Sequence, residues 1–326
     1  MPQLMAQETK EQATGGAAKA PGFVAELRAF GDAVPHKMLF AVLLVAWATL
    51  FHYYGNPTLG YVASHSMFTW LQVAYANSSD DNLGMYMPLI VCALLWWKRG
   101  ELSVVTKQVW WPPLVLFVFA LLLHVVGYTV QQTRLSVVAF FLGLYAITGL
   151  IWGRAWMKAT FFPYFLFAFM LPLTNDMEGL TLPLRQLATK LTVLVSQGLG
   201  IDVVQQGTQI FDRANRFQYD VEAACSGLRS LTTMLALACV FAFTAFRGTW
   251  KRVLVIGSSI PFAVLGNTLR LLTIVIAAEH SGQKAGEFVH EHWFFSLVPY
   301  IPAMVGLMLL ARWLREDGED GKAVAA

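Results

Sequence analysis

The chain has 326 residues, of which 56% are hydrophobic and only 13% charged, and its mean hydropathy is +0.53. A soluble core of this size cannot hide so much apolar surface, so the surplus faces lipid and the chain reads as a polytopic membrane protein. The net charge of +3 is scattered over helix ends rather than gathered into a patch, which argues against nucleic acid as a partner.

In chain order, residues 1–37 form a cytoplasmic leader, polar at first and then carrying a short amphipathic helix, Phe23 to Phe30, suited to lie on the membrane. No cleavable signal is expected ahead of the first apolar run. That run, Met38 to Tyr54, follows Arg28 and Lys37, so its start is cytoplasmic by the positive-inside rule. The connection to Asn82 carries Asp80 and Asp81 and no Lys or Arg, as expected outside. A second span, Leu83 to Trp97, returns to Lys98 and Arg99. The third and fourth are Trp111 to Tyr128 and Leu135 to Trp152, and a fifth, Ala159 to Leu173, goes out again.

Residues 174–224 are the longest non-spanning stretch and are expected to form a small extracytoplasmic insertion. Leu180 to Leu199 has helical apolar spacing, and Ile201 to Ile210 with Arg216 to Val221 alternate like a β-hairpin. The sixth span runs from Leu228 to Phe246, the seventh from Val253 to Ala278 and the eighth from Trp293 to Leu310. The expected fold is therefore all-α and polytopic, with about eight transmembrane helices. One transmembrane catalytic domain occupies 38–312 and a cytoplasmic tail 313–326.

The chemistry gathers at the outer ends of the last three spans. Cys225 sits where the polar segment Phe211 to Asp220 runs into the sixth span, with Glu222 before it and Arg229 four residues after it. A helix amino terminus and nearby cations both favour the thiolate. Arg270 falls inside the seventh span, and an arginine there is costly and marks a functional site by default. Pro261, Gly266 and Asn267 precede it and can loosen the helix. His290 and His292 are expected to open the eighth span. Thiol, guanidinium and imidazole are the groups that acyl transfer through cysteine requires: a nucleophile, a stabiliser of negative charge and a proton carrier.

Other chemistries fit less well. His290-Glu291-His292 lacks the second histidine of H-E-x-x-H, since that position is Phe294, and no metal is called for. Neither G-x-S-x-G nor G-x-x-x-x-G-K-[ST] occurs. Six of the seven histidines (52, 65, 124, 280, 290 and 292) fall outside or near outer helix ends, which leaves a metal site open, though interfacial histidines are more often merely solvated. Cys92, Cys225 and Cys239 do not suggest a disulfide framework. A transporter, or an assembly factor for exported polysaccharide with Arg270 binding an anion, is the competing class. It would be expected to show internal repeats and broken helices at mid-membrane depth. A lipid-linked acyltransferase using the same cysteine is a third.

Glu222-Ala223-Ala224-Cys225-Ser226-Gly227-Leu228-Arg229 resembles the cysteine motif of the exosortase/archaeosortase family of membrane transpeptidases. Pro261 with Asn267-Thr268-Leu269-Arg270 resembles the family's arginine motif, and the histidine at an outer helix start resembles its third. The resemblance covers about Leu135 to Leu310. The family histidine is often followed by an acidic residue, which favours His290 (Glu291 follows it). It is also often followed four residues on by glycine, for which His292 has the small Ser296. Both histidines stay candidates.

The resemblance implies a multi-pass cysteine protease/transpeptidase of the cell inner membrane without a cofactor, its Cys225, Arg270 and His290 or His292 facing the outside. Glu222, Arg229 and Asn267 would bind substrate or support the site. Its partners would be membrane lipid and exported proteins bearing a carboxy-terminal sorting signal: a short motif such as Pro-Glu-Pro, an apolar helix and a basic tail. The new carboxyl end would pass to an unidentified cell-surface acceptor.

Overall fold

The computed structural model describes residues 22–58, 60–78, 81–173, 178–214, 216–220, 228–292, 294 and 298–314. Helix α1 (Phe23–Ala33) is one turn longer than its apolar pattern suggests. It is docked at the basic end of the bundle, with Glu26 bridging Arg99 at 2.8 Å and Phe23 and Phe30 against the Trp96 ring. Helix α2 (Lys37–Tyr54) follows, then α3 (Met67–Asn77), whose first turn is capped by Ser66 accepting from the Thr69 N–H. Next come α4 (Leu83–Trp97), the short α5 (Arg99–Val104), α6 (Pro113–Thr129) and α7 (Thr133–Phe165).

Helix α7 is two arms. Gly153 interrupts it at φ 89°, ψ −176°, and a Cβ there would meet the Gln108 carbonyl oxygen at 2.6 Å, so only glycine fits. The arms fold back on each other: the Tyr145 hydroxyl donates to the Met157 carbonyl at 2.8 Å, and the Tyr145 and Tyr164 rings lie 5.1 Å apart. The second arm thus starts at Arg154, earlier than the apolar run suggests, and ends in a 3₁₀ turn, Leu166–Met170. Lys98 grips its start through the Ala159 carbonyl at 2.8 Å, and Asp81 accepts from the Leu173 N–H at 3.1 Å, so α4 runs antiparallel beside it.

The amino-terminal half closes on an aromatic core of Trp47, Phe51, Phe140, Trp152 and Trp156. The Trp47 indole also donates to the Phe140 carbonyl at 2.9 Å. His124 is not a solvated interfacial histidine. It is buried, hydrogen-bonded to Ser136 at 3.0 Å and packed on the Phe51 ring, because α6 and α7 form a tight pair there.

The carboxy-terminal half comprises α8 (Glu178–Gly198), strands β1 (Val203–Gln206), β2 (Gln209–Asp212) and β3 (Gln218–Asp220), and helices α9 (Leu228–Ala245), α10 (Thr249–Ser281), α11 (Gln283–Glu291) and α12 (Ile301–Trp313). The strands form one antiparallel meander in the order β1-β2-β3, so the alternating stretches make three strands rather than a two-stranded hairpin. Gly207 supplies the positive φ of the first turn. Helix α8 packs on the bundle. It lies lengthwise on α10, with Ala188 and Val193 in one cluster with Val264 and Leu271 and with Thr192 Oγ1 3.4 Å from the Thr268 carbonyl.

Two halves of the bundle meet where α9 packs on the second arm of α7, with Phe162 and Phe243 stacked at 4.4 Å and Cys239 buried beside Leu166. Among the described residues, three helical stretches are long and apolar enough to cross a membrane: α2, Thr133–Met170 and α10. The shorter apolar helices are Leu83–Trp97, Pro113–Thr129, Ser230–Ala245 and Val298–Trp313. The protein is membrane-embedded.

Candidate active site

Helix α10 carries the arginine of the site. It has 33 residues and is longer than a hydrocarbon core is thick. On its buried face lie Ser259, Asn267, Thr268 and Arg270, each at most 7% exposed. Helix α9 is its antiparallel partner across a short turn, with Leu231, Ala238 and Phe246 in one cluster with Ala263 and Val255. Because α9 is 18 residues long, its amino-terminal end lies level with the eighteenth residue of α10, Gly266, about one turn from Arg270.

The histidines do not open the last apolar helix. Gly282, at φ 83°, ends α10, and the separate helix α11 doubles back along it, bringing Gly286 against Ala278. His290 therefore comes to rest beside Arg270, whose Nη2 donates to the His290 carbonyl at 3.5 Å. His290 is half-buried. His292 is exposed, in extended conformation just past the helix, with its ring 5.2 Å from that of Phe288. The structure thus sets the two histidines apart: the backbone of His290 meets the arginine, and His292 lies exposed past the helix.

The small sheet braces this corner. Tyr219 donates its hydroxyl to the Gln283 carbonyl at 2.7 Å, and burial, helped by Glu287, pushes that hydroxyl up to about 12. Arg216 joins the sheet to α10, bonding Asp212 through Nε at 2.8 Å and Glu279 through Nη2 at 2.7 Å. Its guanidinium holds the buried Asp212 carboxyl below the usual range.

Cys225 and Glu222 lie outside the described residues. Arg229 is in the first turn of α9, and its side chain is likewise outside the description. What a sequence scan for nucleophiles and cations passed over is the polar face of α8. Thr181, Arg185, Thr189, Thr192 and Ser196 recur every three or four residues and are all buried, Arg185 bonding Thr181 at 2.9 Å. That period was visible in an otherwise apolar helix. Against this face, Asn267 Oδ1 and Ser196 Oγ are buried without a hydrogen-bond partner among the described residues, which is costly unless a ligand or water supplies one.

A family model described as transmembrane exosortase matches residues 70–309, about three-quarters of the chain. The chain belongs to the transmembrane exosortase family. No curated protein and no solved structure matches it. The match runs from α3 to most of α12, so it takes in Phe140, Trp152 and Trp156 of the aromatic core and the helices that carry Arg270 and the histidines, while Trp47 and Phe51 precede it.

Proposed function

We propose that this exosortase is a cysteine peptidase and transpeptidase whose reacting groups are Cys225, Arg270 and His290. One observation carries the reading: a buried arginine on α10 bonded to the backbone of His290, about one turn from the level at which the helix following Cys225 begins. The basic ends of the helices, with Lys98, Arg99, Lys158, Arg247 and Arg252, would face the cytoplasm, and eight apolar arms would cross the membrane. Arg270 and His290 would then stand at the outer interface of the inner membrane. A substrate anchored there by one carboxy-terminal helix presents the segment just outside it, as a tripartite sorting signal of the PEP-CTERM kind requires.

In the first step the Cys225 thiolate attacks the scissile carbonyl carbon. The carbonyl π pair moves to oxygen, and Arg270 donates to that oxyanion. Collapse of the intermediate expels the carboxy-terminal amine, which takes its proton from the His290 imidazolium and leaves a thioester. An acceptor amine, hydroxyl or water then attacks the thioester and gives its proton to His290, and the thiolate departs. Arginine suits the fixed-charge role because it does not deprotonate near neutral pH. Asn267 and Glu222 would support the substrate or the arginine, and Arg229 the thiolate.

A non-enzymatic transporter or polysaccharide assembly factor makes the opposite forecast for one experiment. With a co-expressed tailed substrate, Cys225→Ala should abolish processing, whereas Cys92→Ala and Cys239→Ala should leave it intact. Cys92 is on the exposed face of α4 and Cys239 is buried at the α7–α9 contact. Continued cleavage by the Cys225→Ala protein would end the thiol-enzyme reading.

A further inference from the structure

The basic end of the bundle holds a feature that the peptidase reading does not use. Two adjoining cavities of about 190 and 1050 Å³ open where α4, α5 and the second arm of α7 meet the α9–α10 turn, and they share Trp97, Lys98, Phe243 and Arg252. Four cations line them, Lys98, Lys158, Arg247 and Arg252, against one carboxylate, Glu101. Glu101 is already bridged to Lys98 at 2.9 Å. Arg252 is held in place: its Nε donates to the Phe246 carbonyl at 2.8 Å and its guanidinium lies 4.7 Å from the centre of the Phe243 ring. Lys158 is exposed and makes no ion pair among the described residues.

The walls between these charges are apolar and open. Trp97 is 54% exposed, Phe161 51% and Val104 86%. Cations set among exposed aromatic and aliphatic groups at the end of a membrane bundle match an amphiphile with an anionic head. We propose that this cleft binds an anionic phospholipid, its phosphate between Lys158 and Arg252 and its upper acyl chains against Trp97 and Phe161. The volume suits a glycerophosphate head with the first methylenes of its tails.

The chain's own tail is the rival occupant, because Leu314 packs near Phe246 and Glu316, Asp317, Glu319 and Asp320 follow it. Charge alone would suit that tail. It has no apolar side chain between Glu316 and Lys322 to cover Trp97 and Phe161, which is why the lipid fits better.

The test uses the full chain, purified in detergent with phosphatidylglycerol and phosphatidylcholine present in equal amounts, and scored by native mass spectrometry. Wild type should retain phosphatidylglycerol in preference. A Lys158→Gln/Arg252→Gln double variant should retain about tenfold less or lower, since each cation close to an anionic head contributes separately. A Lys190→Gln/Lys284→Gln control, which removes two exposed cations outside the cleft, should match wild type. Should the double variant not fold, wild type alone decides, through a higher melting temperature in phosphatidylglycerol nanodiscs than in phosphatidylcholine ones. Equal retention by wild type and the double variant, or equal melting in the two lipids, overturns the proposal. So does displacement of the lipid by excess inorganic phosphate, which would make the site one for the bare anion. Zero-length cross-linking of the 316–320 carboxylates to Lys158 in lipid-free protein would give the cleft to the tail. None of these readouts depends on processing of a substrate.

Discussion

The two halves of this exosortase bury polar groups on different terms. In the amino-terminal half every buried amide, hydroxyl and imidazole among the described residues is paired: Asn56 accepts from Thr58 and Thr133, His124 meets Ser136, and Thr148 and Thr160 donate to carbonyls in their own helix. Among the described residues, the buried atoms without a hydrogen bond there are the Trp156 indole nitrogen, in a residue whose ring lies 5.8 Å from the Lys107 ammonium, and the Nε of Arg134, a side chain that makes other interactions. In the carboxy-terminal half, Ser196 Oγ and Asn267 Oδ1 are buried without one among the described residues, on the face that leads to Arg270. A fold under selection for stability alone satisfies such groups, so leaving them open beside a buried arginine is what a site awaiting a substrate or water looks like. On the proposed function, one half is the scaffold and the other holds the chemistry.

The sharpest way to break that division is through the histidines. If the carboxy-terminal corner carries proton transfer, His290→Ala should lower processing by about a hundred- to ten-thousand-fold, while His292→Ala, exposed and beyond α11, should stay close to wild type. Both are compared at equal membrane expression with a tailed substrate. Similar activities would remove His290 from the mechanism even with Cys225 retained as nucleophile.

Arg270→Lys comes next. Lysine keeps the charge but loses the planar fork, so a loss of about a hundred- to a thousand-fold is expected, with insertion and melting little changed. A variant that is active but unstable would make Arg270 a structural member of the α10–α11 contact instead.

These forecasts rest on groups of unequal legibility. Arg270 was readable because a charge inside an apolar run stands out whatever the fold. The pairing of His290 with it was not, because the turn at Gly282 that folds α11 back is a single glycine between two helical patterns and reads as one continuous approach to the last span. The same blindness merged the start of the second α7 arm into a loop, where Gly153 reverses the chain within one residue. The α8 stripe escaped notice for another reason. Its threonines are unremarkable singly, and only burial against α10 gives their spacing meaning. Helix positions followed the apolar runs closely, since lipid-facing and packed residues are both apolar and the pattern survives either role.

The scaffold half should respond in the opposite way to substitution. Trp47 is 4% exposed, packs on Phe51 and Phe117 and donates to Phe140, and Gly143 is small enough to admit its ring. Trp47→Ala opens a cavity and removes a hydrogen bond between two helices. Core Trp→Ala changes cost about 3–5 kcal/mol, and the low end applies where lipid rather than water surrounds the unpacked state. Thermal denaturation in detergent should show the loss, while the fraction that remains folded keeps its processing rate per molecule. A full loss of specific activity with unchanged melting would mean that the amino-terminal core takes part in the chemistry.

The smallest effect is expected at the sheet that braces the site. Arg216 lowers the carboxyl pKa of Asp212, chiefly through the Nε and Nη2 hydrogen bonds at 2.8 and 3.1 Å. A carboxylate whose folded pKa is depressed contributes stability that is fully present above its unfolded value, about 3.9, and is lost as pH falls through the lower folded value. The sheet should therefore hold its protection against amide exchange down to pH values below the ordinary carboxylate range and open only beneath them. Arg216→Gln removes the cause of the shift, so the variant lacks this contribution at every pH: its sheet should exchange faster than wild type at neutral pH, and the difference should vanish as wild type is acidified through the folded Asp212 value. The neutral-pH difference should be small, because Arg216 is half exposed and solvent screens the pair. Its link to Glu279 gives the change a route to the site: loosening β3 frees Tyr219 from the Gln283 carbonyl and with it the start of α11, which seats His290. Processing by Arg216→Gln should therefore fall modestly below wild type at neutral pH, and unchanged processing alongside faster exchange would show that the sheet does not hold the histidine in place.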